Sequence, residues 1–155
     1  MSKIEKQLEA MGLLLPPRHA PVASYIPFAR SGSTVFISGQ LPKDEAGVLV
    51  TGKVGKDLSV GEGQSAARLC ALNILAQLKD ACDGDLDRAR RCLRLGVFVN
   101  AVDHYERHPE VANGASDLIV ALMGDAGRHC RAAVGTNSLP LGAAVEVDAV
   151  FELER

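Results

Sequence analysis

Arg131-Ala132-Ala133-Val134-Gly135-Thr136, then Leu139-Pro140-Leu141-Gly142, then Ala143-Ala144-Val145-Glu146-Val147-Asp148-Ala149-Val150-Phe151-Glu152-Leu153: on this stretch the reading of the fold turns. In its last segment Val145, Val147, Ala149, Phe151 and Leu153 fall on one face. Glu146, Asp148 and Glu152 fall on the other, with Val150 among them. This is the two-residue period of a strand that buries one side. Arg131 to Thr136 reads as extended and Pro140 marks a turn, so the two segments predict a hairpin. A turn centred between Pro140 and Leu141 sets Gly135 opposite Glu146 and Val150 opposite Arg131. That register places Arg131, Ala133, Gly135 and Glu146 together, on the face away from the helices.

Working back toward the N-terminus, Pro109 or Glu110 to Met123 predicts a helix. Val111, Ala115, Leu118, Ile119 and Leu122 form its stripe, and Gly124 is its stop. Cys92 to Val102 alternates as a strand. Gly84 ends the preceding helix, and Asp85 caps one further turn. That helix opens with Ser59-Val60-Gly61-Glu62, the order of a capping box, and carries apolar residues from Ala67 to Ala81. Gly47 to Gly52 reads as one short strand and Thr34-Val35-Phe36-Ile37-Ser38, halted by Gly39, as another. Ser2 to Met11 is a short amphipathic helix, and Leu15 to Pro21, with its three prolines, crosses over as extended chain. The order helix, β-β, α, β, α, β-β predicts an α+β fold, a mixed sheet with both main helices on one face. Residues 1–155 read as one domain, with 1–19 as its N-terminal helix and crossover.

The composition narrows the function classes. A chain of 155 residues with 47% hydrophobic and 23% charged residues closes a core and is not disordered. A net charge of −2, with two Tyr, four Phe and no Trp, makes nucleic acid an unexpected partner. Arg88, Arg90, Arg91 and Arg94 form the one basic cluster, and Asp83, Asp85 and Asp87 offset it. No apolar run approaches the roughly 20 residues of a membrane span, and the N-terminus is no secretory signal, so a cytoplasmic location is expected. Cys70, Cys82, Cys92 and Cys130 form no Cys-x-x-Cys pair, and reduced thiols are expected. His104 and His108 have i, i+4 spacing but no third ligand, and Pro109 follows at once, so they read as two solvated loop histidines. No metal and no cofactor is expected.

Chemistry concentrates on Arg131 and Glu146. A guanidinium and a carboxylate beside small residues leave room for a small ligand, whose carboxylate the arginine would grip bidentately while the glutamate handles a water. The bland alternative is a cross-strand ion pair. Ile37-Ser38-Gly39-Gln40-Leu41-Pro42, with Arg131-Ala132-Ala133-Val134, Leu139-Pro140 and Val145-Glu146-Val147, resembles the RidA/YjgF family of enamine/imine deaminases from about Ala20 to Leu153. The resemblance implies a chorismate-mutase-like fold, a homotrimer with ligand clefts between subunits, and cofactor-free hydrolysis of amino-acid-derived imines to 2-oxo acids and ammonia. It implies Arg131 as the carboxylate anchor and Glu146 as the residue that positions water. Gly39 and the backbone of Ala133 would be ligand contacts, and Tyr25 and Asn113 would line the cleft. The usual Gly-Pro-Tyr-Ser-Gln-like segment is here Ala23-Ser24-Tyr25-Ile26-Pro27. The N-terminal helix and the long stretch from Lys43 to Asp57 are similar to the family's longer subgroup.

A trimer is also expected from the sheet itself. Ala133, Gly135 and Val150 give its helix-free face too few large polar groups for contact with solvent. Two other functions compete: a trimer that binds a small carboxylate metabolite without turnover, and an endoribonuclease, which the charge and the aromatic count do not favour.

Overall fold

The computed structural model describes residues 1–21 and 23–155. Its elements are α1 (Lys3–Ala10), β1 (Phe28–Ser31), β2 (Thr34–Gln40), α2 (Val60–Ala81), β3 (Ala89–Asn100), α3 (His108–Met123), β4 (Cys130–Thr136) and β5 (Val145–Leu153). The strands form one mixed sheet in the order β1-β2-β5-β3-β4, with α2 and α3 packed together against it.

Local chemistry accounts for the helices. Both reciprocal hydrogen bonds of the expected capping box form at the start of α2: Ser59 Oγ accepts from Glu62 N, and Glu62 Oε2 from Ser59 N. Ser2 and Glu5 repeat the device at α1. Asp85 caps a single 3-10 turn, Leu86–Arg88. Pro109 lies in the first turn of α3, where its missing N–H costs nothing, and Gly124 closes that helix at φ 59°. The alternation of β5 is realised in full, with Val145, Val147, Ala149, Phe151 and Leu153 all buried against the helices.

The C-terminal hairpin does not form. β4 pairs in parallel with β3, Leu95 opposite Arg131, and β5 lies between β2 and β3 with both edges occupied. The physical reason is α3, which carries the chain back over the sheet between β3 and β4. A crossover of that length returns the next strand parallel to the first. The 137–144 connection then passes over β3 to reach the sheet's centre.

The first pair of strands also differs from expectation. Gly47 to Gly52 makes only isolated bridges, Lys43 with Leu49 and Thr51 with Ala143. The hairpin partner of β2 is instead β1, closed by the two-residue turn Gly32-Ser33 with Gly32 at φ 60°. Gly39 does not halt β2, which continues to Gln40 through an irregularity in its pairing with β5.

Cys70, Cys82 and Cys92 are buried, and burial pushes the Cys82 thiol up to about 11 and that of Cys92 up to about 12. Cys130 is exposed. No helix among the described residues is long and apolar enough to cross a membrane.

Candidate functional site

Register decides which side chains can meet. Leu95 is buried beneath the helices, and Arg131, its partner across the β3–β4 ladder, lies on that same face, as do Ala133 opposite Val97 and Gly135 opposite Val99. Glu146 pairs with Phe98 and belongs to the other, helix-free face. The expectation that Arg131, Ala133 and Gly135 share a face with Glu146 is therefore overturned. Within one chain Arg131 and Glu146 are separated by two strand spacings, roughly 10 Å, by three residues along the strand, roughly another 10 Å, and by the sheet itself.

Around Arg131 the neighbours come from one stripe of α3. Nη1 donates to Asn113 Oδ1 at 2.8 Å and to Ser116 Oγ at 3.1 Å, while Nη2 donates to the Pro109 carbonyl at 3.5 Å. Positions 109, 113 and 116 follow one another at four and three residues, so a helix lying along β4 presents all three to one side chain. Every one of these partners is a neutral acceptor. Among the described residues Arg131 has no carboxylate within ion-pair distance. Of its five N–H groups three are used, leaving Nε–H and one on Nη2. Ala133 is half-buried two residues further on. β4 is an edge strand, so half of its backbone polar groups face away from the sheet. Cys130 pairs with Arg94 on the opposite face from Arg131, so its sulfur turns away from this cluster.

Two expected residues, Gly39 and Tyr25, lie near Glu146. Its carboxylate lies over Gly39, where a Cβ would come within 3.0 Å of Cδ, so any larger residue there would press on the carboxylate. Tyr25, 51% exposed, lines the same hollow as Gly39, together with His19, Pro27, Leu41 and Lys43. Ser38 ties the approach to β1 by donating from Oγ to the Ile26 carbonyl at 2.7 Å. Burial, and secondarily the neighbouring Asp148 carboxylate, hold the Glu146 carboxyl above the usual carboxylate range. Asp148 itself pairs with Arg94 at 3.0 Å.

The expected residues thus fall into two groups, each a candidate half-site. Asn113, Ala133 and Arg131 make one, beneath α3; Tyr25, Gly39 and Glu146 make the other, on the open face. Two contributors to the first half were not expected from the sequence, Ser116 and His129. Ser116 lies one turn beyond Asn113 and His129 two residues before Arg131, spacings that put both within reach once α3 is laid along β4. His108 was expected in a loop but is the first residue of α3, and its ring covers Gly135. His104 stays in an exposed loop, and no cluster of metal-ligating side chains occurs among the described residues.

This fold and this arrangement define a class. The family model described as "YjgF/chorismate_mutase-like, putative endoribonuclease" matches residues 5–153, and the chain belongs to this YjgF/RidA family. Protein TCP17 of Trypanosoma cruzi is 47% identical over a 152-residue alignment that covers 97% of this chain and 94% of that one. The crystal structure of Atu1372, a protein of unknown function from Agrobacterium tumefaciens, is also 47% identical. It has a TM-score of 0.90 and covers 97% of this chain and 94% of its own. A "putative endoribonuclease" from Shewanella oneidensis is 39% identical with a TM-score of 0.93, covering 97% and 99%. RidA from a Psychrobacter species is 26% identical with a TM-score of 0.61, covering 88% and 94%.

Proposed function

We propose that the chain forms a closed trimer in which the Arg131 half-site of one subunit faces the Glu146 half-site of the next, and that the joined site hydrolyses imines derived from amino acids. The observation that carries this reading is the Arg131 guanidinium, held in place by three neutral acceptors with no carboxylate of its own. A fixed, uncompensated cation with donors left over suits a bidentate carboxylate. The open face supports association. Phe36, about half exposed, and Ile26, 63% exposed, line one apolar hollow on it, and Val134, about half exposed, stands on the same face at the β4 edge.

Enamines enter the reaction as their imine tautomers. Arg131 holds the carboxylate of the imine. Water placed by Glu146 adds to the carbon of the protonated imine while the Glu146 carboxylate takes one of its protons, so that the C–O bond forms and the C=N π pair moves to nitrogen. Glu146 returns that proton to the amino nitrogen, and the C–N bond breaks with its electron pair leaving on ammonia while the hydroxyl proton passes back to Glu146 and the C=O bond closes. The products are ammonia and a 2-oxo acid. The raised affinity of Glu146 for a proton suits a group that must accept one and hand it on. Water adds and ammonia leaves with no change of oxidation state, so no cofactor is required. Escherichia coli TdcF, which shares the fold at 19% identity, has been crystallised with bound serine, an amino acid of the size this site would take.

A carboxylate-binding trimer without turnover is the second reading. It is favoured by the completeness of the Arg131 cluster within one chain, which needs nothing from Glu146. The RNA-cleaving reading has less to stand on, since Arg88 and Arg94 are already spent on Asp83 and Asp148. The deciding experiment measures ammonia release from imines made in situ by an amino-acid oxidase. Acceleration by the wild-type chain, lost in Glu146→Gln, is the expected result. Tight binding of 2-oxo acids with no acceleration would replace the enzyme by the binding module.

A further inference from the structure

We propose that Ser116 and His129 are positioning residues that fix the plane of the Arg131 guanidinium, an inference that rests on Arg131 as the carboxylate anchor. His129 Nδ1 lies 2.6 Å from the Gly127 carbonyl and Nε2 lies 2.8 Å from Ser116 Oγ. A carbonyl oxygen can only accept, so Nδ1 carries the proton and, in the neutral ring, Nε2 is an acceptor. The Ser116 hydroxyl therefore donates to Nε2. Its lone pairs are left for Arg131 Nη1, 3.1 Å away. Each link has one polarity, running from the Gly127 carbonyl through the imidazole and the hydroxyl to the guanidinium.

The starting point of this relay is itself tightly packed. Gly127 is buried against the backbone of α3, where a Cβ would come within 2.5 Å of the Ile119 carbonyl oxygen. No larger residue fits there without moving the turn. Ser116 is only 9% exposed, so water competes weakly for its hydroxyl. With Asn113 and Ser116 taking both Nη1 protons, the guanidinium cannot rotate about its long axis without breaking a bond. The fork left to a ligand is Nε–H with one Nη2–H, in a fixed plane. Such preorganisation raises affinity by removing an ordering cost from the binding step.

The test titrates 2-oxobutanoate into the full-length protein by calorimetry and follows imine turnover in parallel. Ser116→Ala is expected to weaken binding about tenfold, the scale of a hydrogen bond to a charged group, with KM rising and kcat little changed. His129→Leu, which removes the acceptor, should weaken binding in the same direction. His129→Gln can set an amide oxygen near the Nε2 position and should recover affinity to within about twofold of wild type. That recovery separates a hydrogen-bonding role from a packing one. Wild-type affinity in both Ser116→Ala and His129→Leu would overturn the inference, as would His129→Gln binding as poorly as His129→Leu. Should Ser116→Ala not fold, the two His129 variants decide alone. Arg131→Ala is the separate control: if it binds as wild type does, the anchor reading fails, whatever the other variants do.

Discussion

Glu146 is placed where its ionisation is penalised, half-buried over Gly39 with Asp148 nearby, and its affinity for a proton is raised accordingly. In the proposed reaction it takes a proton from water and must start ionised. Activity should therefore be low at acid pH and rise through a midpoint above that of an ordinary glutamate, about 4.5. Glu146→Gln should lower kcat by about 10²–10⁴-fold with a smaller change in ligand affinity. The pH-rate profile checks both, since the acid limb of wild type should be missing from whatever rate the variant retains. Arg131 and Glu146 stand out in the sequence by type and by neighbourhood. What was not legible was the face each occupies. Alternation along β5 groups its own side chains into two sets, and the grouping is the same whichever strands lie alongside. Only the identity of the neighbours tells whether the set holding Glu146 is also the set holding Arg131, and no local pattern encodes it. Ser116 and His129 were hidden for the same reason, because their relation to Arg131 exists only after α3 is laid along β4.

Helices announced themselves more fully than strands, because caps are local. Ser59 with Glu62, and Gly124, mark their helix ends within a few residues. β1 was missed because its four residues include one large apolar side chain, and the signal lay instead in the Gly32-Ser33 turn. At the level of elements two expectations can be measured. Gly114 of α3 faces α2 so closely that a Cβ would come within 2.0 Å of the Gln64 carbonyl oxygen. That contact is backbone against backbone, with no side chain to give way. Gly114→Ala should cost about 1–3 kcal/mol or more by forcing the helices apart. Thermal melts should show a loss of roughly 2–4 °C for each kcal/mol.

Helix α1 is held differently. Glu5 closes its own cap and accepts from Lys79 of α2 at 2.5 Å, and that hydrogen bond, with the one from Ser2, lowers its pKa to about 2. A depressed carboxylate contributes stability above its unfolded value near 4.5, and loses it as pH falls toward 2. Lys79 is 40% exposed, so solvent screening brings the pair down to about 1 kcal/mol. Glu5→Gln should therefore lower Tm by roughly 2–4 °C at pH 7 and leave it nearly unchanged at pH 2, as calorimetric melts at the two pH values would show.

For the whole molecule, the arginine sits under the helices and the glutamate on the uncovered side of the sheet. In a closed ring of like subunits each site would then draw its two halves from different chains. Two dead proteins could therefore make a live one. Arg131→Ala chains lack the anchor but keep Glu146, and Glu146→Gln chains do the converse. When equal amounts are unfolded together and refolded as mixed rings, about a quarter of the subunit contacts should pair an intact arginine with an intact glutamate. Deaminase activity should reappear at about that fraction of the wild-type level, whereas the same two variants refolded apart and then combined should stay inactive until subunits exchange. Mixed rings of near three times the 16.4 kDa chain mass that show no recovery would mean that each chain works alone. Recovery would make the thickness of one β-sheet the reason that a single copy cannot function.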